Sequence, residues 1–407
     1  MLVDLHSHYP MHVGPQDPRR VALQVWSQRG RAGAIDRFDA AVLRNASRLW
    51  NWESASAGPR VRIESLRAGD VGVALSVLCS PLLEMGNRMT KWYSRKPPYG
   101  GPPKDSFTTV LMRQMEAVER RVARWHPDTA AIARSPAELD EIQAAGKLAL
   151  VHCVEGGFSL GATPESIERT VRMLAARGVA YVTLAHLAWR QVATNVPCVP
   201  FASDELYDKI FPQPDVGLSE LGRAAVRAMV AAGVLIDITH MSQAALDDTF
   251  ALLDELDPEG TVPVLASHCG YRFGGQAYNL DDTTIRRIAE RDGVIGLMLS
   301  TYFMADGLDA KPASFDESFD LLCRHVDAIH NVTGSYASLA VGTDLDGFIK
   351  PTLPGLGNSA QLRQLGPALQ ARYGRTTAEE IQSGNALRVL RAGWRATGEP
   401  GPTVAAI

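Results

Sequence analysis

The sequence predicts a (β/α)8 TIM barrel with long insertions after its first and second strands. Three observations predict it. Eight short apolar runs recur along the 407 residues, separated mostly by segments of helical period. Several runs are near-continuous in Val, Ile, Leu and Ala, as strands buried on both faces are. Polar, titratable residues collect at the carboxyl ends of the runs, the end at which barrels of alternating strand and helix carry their chemistry.

Taken in order, the runs are LVDLH (2–6), VGVALSVLC (71–79), KLALVHCVE (147–155), AYVTLAHL (180–187), GVLIDITH (233–240), VPVLASH (262–268), GVIGLML (293–299) and ASLAVGTD (337–344). Between them, residues 166–178, 219–233 and 242–256 carry apolar residues at amphipathic helical spacing. Thr163-Pro164-Glu165 and Ser242 are suitable helix starts, whereas Ser219 with Gly222 three residues later lacks the full capping box. Residues 9–70 form an insertion after the first strand, expected to be largely helical. Residues 86–108, rich in Gly, Pro and aromatics, are expected to cover the mouth of the barrel. The whole chain, 1–407, then reads as a single hydrolase-type barrel, with 351–407 a C-terminal helical segment packed on it.

Composition narrows the function classes. The chain is 46% hydrophobic and 21% charged, with 41 basic and 45 acidic residues giving a net charge of −4. That balance, without a block of like charge, argues against a nucleic-acid surface or a polybasic membrane patch. No run of about eighteen apolar residues is present, so no membrane-spanning helix is expected. The five cysteines are far apart and never form a CxxC pair, which points to a reducing compartment rather than a disulfide framework. With no signal peptide at the start, a cytoplasmic location is the expectation.

Asp4, His6 and His8 alternate in the first run, and side chains two apart share one face of an extended strand. The remaining strand ends carry Glu155, His186, His240, His268 and Asp344. Five of the ten histidines thus fall at strand ends. Imidazoles and carboxylates gathered at one rim suit zinc or a similar first-row divalent ion. One ion with an open position rarely takes more than four protein ligands, so this donor set predicts two ions sharing a carboxylate. Glu155 is the natural bridge. His6, His8 and Glu155, with Asp344 close by, would hold one Zn2+; Glu155, His240 and His268 would hold the other. His152 lies three residues before Glu155 and is expected to face a helix, while His12, His126, His325 and His330 receive no role.

With these motifs in place the chain resembles the membrane (renal) dipeptidase family of the amidohydrolase superfamily. The resemblance rests on DLHSHYP (4–10), VEGG (154–157), TLAH (183–186), GLSELGRAAVRAMVAAGVLIDITHMS (217–242), PVLASH (263–268), VGTDLDG (341–347) and GNALRVL (384–390). It implies a binuclear zinc centre bridged by Glu155, His186 as the group that polarises the substrate carbonyl, and Asp344 as the proton carrier. It also implies hydrolysis of dipeptides, including those with a D-configured carboxyl-terminal residue. Two departures stand out. His8 replaces the Asp usual in the family, removing one negative charge. In QAYNLDD, Tyr278 stands where the family carries an Arg for the substrate carboxylate, and a phenol cannot copy a bidentate guanidinium–carboxylate pair. Arg272 or Arg190 could supply that charge, with Asn279 also in the substrate loop. A small amide or ester substrate such as an N-acyl amino acid or a lactone is the alternative. The expected partner is a small molecule, with neither nucleic acid nor membrane; a homodimer is left open.

Overall fold

The computed structural model describes residues 1–13, 51, 58–81, 84, 105–200 and 203–395. Most of the 9–70 insertion and of the expected 86–108 cover loop therefore lie outside the described residues. Among the described residues nine strands form one parallel sheet: β1 (Leu2–Ser7), β2 (Val71–Cys79), β3 (Ala130–Ala133), β4 (Leu148–Glu155), β5 (Tyr181–Thr183), β6 (Leu235–Asp237), β7 (Val264–Cys269), β8 (Val294–Leu297) and β9 (Leu339–Val341). β2 pairs with both β1 and β4, which closes eight of them into a barrel. All eight expected runs are barrel strands.

β3 is a strand the sequence pattern did not signal. It pairs with the lower half of β4, from Ala130 opposite Leu148 to Ala133 opposite Val151. β5 takes the same edge higher up, where Val154 faces Val182 and Glu155 faces Thr183. A four-residue strand, AAIA, is too short to show a period.

The helices start where their caps dictate. The Thr163 side chain accepts from Ser166 N, opening α1 (Pro164–Ala176); Ser219 accepts from Gly222 N, opening α2 (Glu220–Ala232); Ser242 accepts from Ala245 N, opening α3 (Gln243–Leu256). A second helix type interrupts the C-terminal segment. Residues 377–393, whose pattern predicts one helix, fall in α (Arg375–Glu379), a π-helical turn (Glu380–Gly384) and α (Asn385–Gly393). The turn precedes Asn385, whose Nδ2 donates to the carbonyls of Tyr336 and Leu339 at the start of β9.

Two apolar clusters make the core. One fills the space between sheet and helices. The other joins inward residues Val3, Val73, Val151 and Val294 to Leu387, Leu390 and Trp394 of the C-terminal segment. That segment seals the amino-terminal end of the barrel and leaves the carboxyl end as the mouth. Gly342, just past β9, lets the backbone pass so near β7 that a Cβ would overlap the carbonyl oxygen of Ser267.

Candidate metal centre

The polar strand ends converge. Glu155 ends β4, buried to 1% exposure. Its Oε1 lies 3.3 Å from His6 Nε2, 3.3 Å from His240 Nε2 and 3.6 Å from His268 Nε2. Its Oε2 lies 3.6 Å from His8 Nε2 and 3.3 Å from His186 Nε2. Asp344 crosses the opposite side, with Oδ1 3.0 Å from His8 Nε2 and 3.9 Å from His6 Nε2, and Oδ2 4.0 Å from His268 Nε2. Glu155 is thus the shared centre of the cluster.

Local backbone delivers these side chains in different ways. Asp4 pairs with Ala74 but Ser7 with Ser76, so β1 carries one extra residue there. Such a bulge re-aims the side chains beside it. It turns His6 toward Glu155, whereas Asp4 accepts from the backbone and hydroxyl of Thr343 at 2.9 and 2.8 Å. Of the three residues expected to share one face, His6 and His8 do reach the cluster, with Nε2 atoms 3.3 Å apart, and Asp4 does not. Burial, only partly offset by the Thr343 bonds, pushes the Asp4 carboxyl up to about 6. His240 (φ 69°) and Asp344 (φ 54°) both sit in the left-handed region, a conformation that costs about 1–3 kcal/mol for a non-glycine residue and gathers at functional sites.

Electrostatics divide the imidazoles. Burial holds His240 and His268 below the ordinary histidine range, which keeps their Nε2 lone pairs available. His186 goes the other way, to about 9: burial lowers it, but the carboxylates of Glu155 and Glu84 outweigh that. Burial likewise opposes ionisation of Glu155, and His186 and His6 overcome it, holding the carboxyl well below its usual range.

Glu84 was not singled out from the sequence. It is buried, with Oε2 2.6 Å from His186 Nδ1 and Oε1 accepting from Ala188 N at 2.9 Å. No motif marks it, because it lies after β2 in a stretch without periodicity. Cys79 was also passed over; paired with Glu155 across β2 and β4, its thiol sits within 4.8 Å of ligand atoms of His8 and Glu155. Asp237 and Ser267, buried below the cluster, were missed too.

The cluster is suited to metal. His240 Nε2 and His268 Nε2 face each other at 3.1 Å, and His6 Nε2 and His8 Nε2 at 3.3 Å. Among the described residues Glu155 Oε2 finds no hydrogen-bond donor despite complete burial. Lone pairs crowded this way repel unless a cation lies among them. Ligand atoms around a four-coordinate ion with bonds of about 2.0–2.1 Å lie roughly 3.3 Å apart, close to the spacing here. Among the described residues, His6–His8–Asp344, His6–Glu155–His268, His8–Cys79–Glu155 and Glu155–His186–His240 each gather within 4.8 Å.

The substrate-loop residues are placed differently. Tyr278 is buried; its hydroxyl donates to His268 O at 3.3 Å and its ring meets His240 edge-on at 5.1 Å. Arg272 donates from Nε to Asn279 O at 2.8 Å and from Nη2 to Ala277 O at 3.1 Å. Asn279 Nδ2 donates to Phe303 O at 2.8 Å. Arg272 and Asn279 thus fasten their own loop, outside the contacts of the cluster. Arg190 donates to the Glu84 carbonyl beside His186. His152 lies 3.7 Å from Glu119 on the helix Asp105–Trp125, away from the cluster.

Comparison with known proteins agrees with this architecture. An uncharacterized dipeptidase of Schizosaccharomyces pombe is 24% identical over 298 residues, covering 73% of this chain and 64% of its own length. A dipeptidase of Claviceps purpurea is 28% identical over 293 residues, covering 71% and 60%. The chain spans less than two thirds of the length of these curated relatives. Among solved structures, a metallo peptidase from Rhodobacter sphaeroides liganded with a phosphinate mimic of the dipeptide L-Ala-D-Ala has the same fold, with a TM-score of 0.67 at 18% identity over 97% of this chain and 99% of that one. No helix among the described residues is long and apolar enough to cross a membrane. The family model described as membrane dipeptidase (peptidase family M19) matches residues 50–397, and the chain belongs to that family.

Proposed function

We propose that this protein is a metal-dependent hydrolase of dipeptides working with two divalent ions, zinc the leading candidate. The observation that carries the reading is Glu155 at the centre of His6, His8, His240, His268 and Asp344, all within 4 Å of it or of one another. His6, His8 and Glu155 would hold one ion, with Asp344 beside them; Glu155, His240 and His268 would hold the second. Bound there, the ions would supply Lewis acidity toward a carbonyl and a water acidic enough to ionise near neutral pH.

The chain's own groups account for the rest. Asp344 is placed to accept a proton at its carboxylate and return it to the leaving amine. His186, held on its Nδ1 side by Glu84, presents Nε2–H to the cluster, where negative charge develops on a carbonyl oxygen. Burial of the cluster at the barrel mouth limits competing water. The names of the relatives support a dipeptide substrate, and the neighbour's L-Ala-D-Ala mimic supports a D-configured carboxyl-terminal residue.

A second reading, hydrolysis of an N-acyl amino acid or a lactone, draws on one observation: Tyr278 and Arg272 both direct their donors at backbone carbonyls. Assay of purified protein against L,L- and L,D-dipeptides, N-acyl amino acids and lactones decides between them. Turnover of dipeptides above the other classes is expected; a preference for lactones or acylated amino acids would overturn the dipeptide reading. A cytoplasmic location and a single 1–407 barrel unit belong to the same proposal.

A further inference from the structure

One buried hydroxyl reaches two of the rings in the cluster. Ser267 Oγ lies 2.9 Å from His6 Nδ1, 2.8 Å from His268 Nδ1 and 2.6 Å from Asp237 Oδ2. A hydroxyl has one proton to give and two lone pairs to receive with. Where the proton goes is settled by Asp237, which is wholly buried and ringed by donors. The backbone N–H of Ser267 and of Thr239 reach its Oδ1 at 2.9 and 3.1 Å, and the Thr239 hydroxyl at 2.7 Å. Thr183 Oγ1 donates to Oδ2 at 2.5 Å. An ionised carboxylate accepts and never donates, so the Ser267 proton points to Asp237. Both lone pairs of Ser267 then face imidazole nitrogens, and each nitrogen must carry hydrogen.

Tyr181 gives the same answer for His6 by a separate route. Its hydroxyl donates to Leu5 O at 2.9 Å and lies 2.9 Å from His6 Nδ1. Having spent its proton on the carbonyl, it can only accept from the ring. His6 and His268 therefore both carry hydrogen on Nδ1, which leaves Nε2, on the Glu155 side, as the nitrogen each can offer to an ion. His240 differs, because its Nδ1 has no hydrogen-bond partner among the described residues.

We propose that Asp237 and Ser267 are positioning residues that, through one hydroxyl, set the tautomer of one ligand at each of two metal positions and so couple the binding of the two ions. The inference rests on the two-ion reading above. His6 belongs to one position and His268 to the other, and neither ring can turn without disturbing the hydroxyl that also orients its counterpart.

Asp237→Asn is the sharpest probe because it keeps shape and reverses one bond. An amide nitrogen facing Ser267 would donate to its oxygen, sending the serine proton to one imidazole, forcing hydrogen onto that ring's Nε2, and shifting the acceptor on which the other ring's Nδ1–H depends. Co2+ titration followed by visible absorption reads both equivalents. The wild-type protein is expected to bind two; Asp237→Asn and Ser267→Ala are each expected to weaken both, by about 10–100-fold. Circular dichroism establishes that the variants fold. Independently of any variant, nitrogen NMR of the zinc-loaded, histidine-labelled wild type should show hydrogen on Nδ1 of both rings. Weakening of a single equivalent, unchanged affinities, or a ring lacking Nδ1–H would overturn the coupling while leaving two-ion binding intact. A wild type that takes up fewer than two ions would sink the two-ion reading and the coupling together.

Discussion

In the proposed reaction Asp344 carries the proton, and its surroundings show how little latitude it has. Its φ is positive, and Gly347 leaves it room: a Cβ at 347 would overlap Asp344 Oδ1 and crowd His8. Asp344→Asn should keep metal content near wild type while kcat falls about 10²–10⁴-fold, the usual worth of a general acid–base group; initial rates beside elemental analysis check both halves. Gly347→Ala should lower kcat in the same direction by displacing the carboxylate. Glu84→Gln tests the group that positions His186. Its expected cost is about 10–100-fold in kcat with metal stoichiometry unchanged, and full activity would remove His186 from its role. At this scale the sequence was most informative where a titratable residue closes an apolar run, as for His6, Glu155, His240 and His268. It was silent on Glu84, Ser267 and Asp237, whose bonds to His186, to His6 and to each other span 30 to 261 positions and whose types are ordinary among buried polar groups.

Elements were legible in proportion to their length and periodicity. The caps at Thr163 and Ser242 placed two helices, and apolar periodicity a third over 219–233, within about two residues, because side-chain oxygens that satisfy orphan N–H groups and amphipathic spacing are both visible in sequence. The bulge in β1 was not, since register depends on the neighbouring strand rather than on the strand itself. β3 and the π-helical turn before Asn385 were missed for the same kind of reason: short or irregular backbone is chosen by its surroundings. The helix Phe315–Thr333 carries a buried histidine with a predictable pH response. His325 Nδ1 accepts from Tyr271 N at 2.9 Å and its Nε2 donates to Met304 O at 2.8 Å, which ties the segment after β7 to this helix. Burial outweighs the Met304 bond and lowers it to about 4 from an ordinary 6.5. Because the folded value is the lower one, the unfolded chain takes up the proton first as pH falls. The stabilisation is complete above about pH 6.5 and is lost progressively toward pH 4, by up to about 1.4 kcal/mol per pH unit. Urea unfolding at pH 7 and pH 5 should show that loss, and His325→Gln should reduce it; an unaltered slope would assign the acid sensitivity elsewhere.

Across the whole molecule, the barrel separates a sealed end from a working end. Trp394 is 2% exposed in the cluster at the sealed end, so Trp394→Ala should cost about 3–5 kcal/mol of stability and leave kcat/KM per folded molecule unchanged. Calorimetry with active-site-normalised rates distinguishes this from a catalytic effect. Chelation should act from the opposite end: stripping divalent ions leaves the crowded lone pairs around Glu155 unneutralised, so Tm should fall and recover on adding zinc. The overall architecture was readable because eight strands and one rim of ligands are global regularities, which a chain must repeat to form them.

Gly342 has a bearing on how this protein could be altered. It has no side chain to offer substrate or ion, yet any larger residue there would shove the strand bearing Ser267 sideways and disturb His6 and His268 together. Directed evolution toward new substrates should therefore find its gains among the loops at the mouth, and libraries that randomise position 342 should yield folded but metal-poor clones.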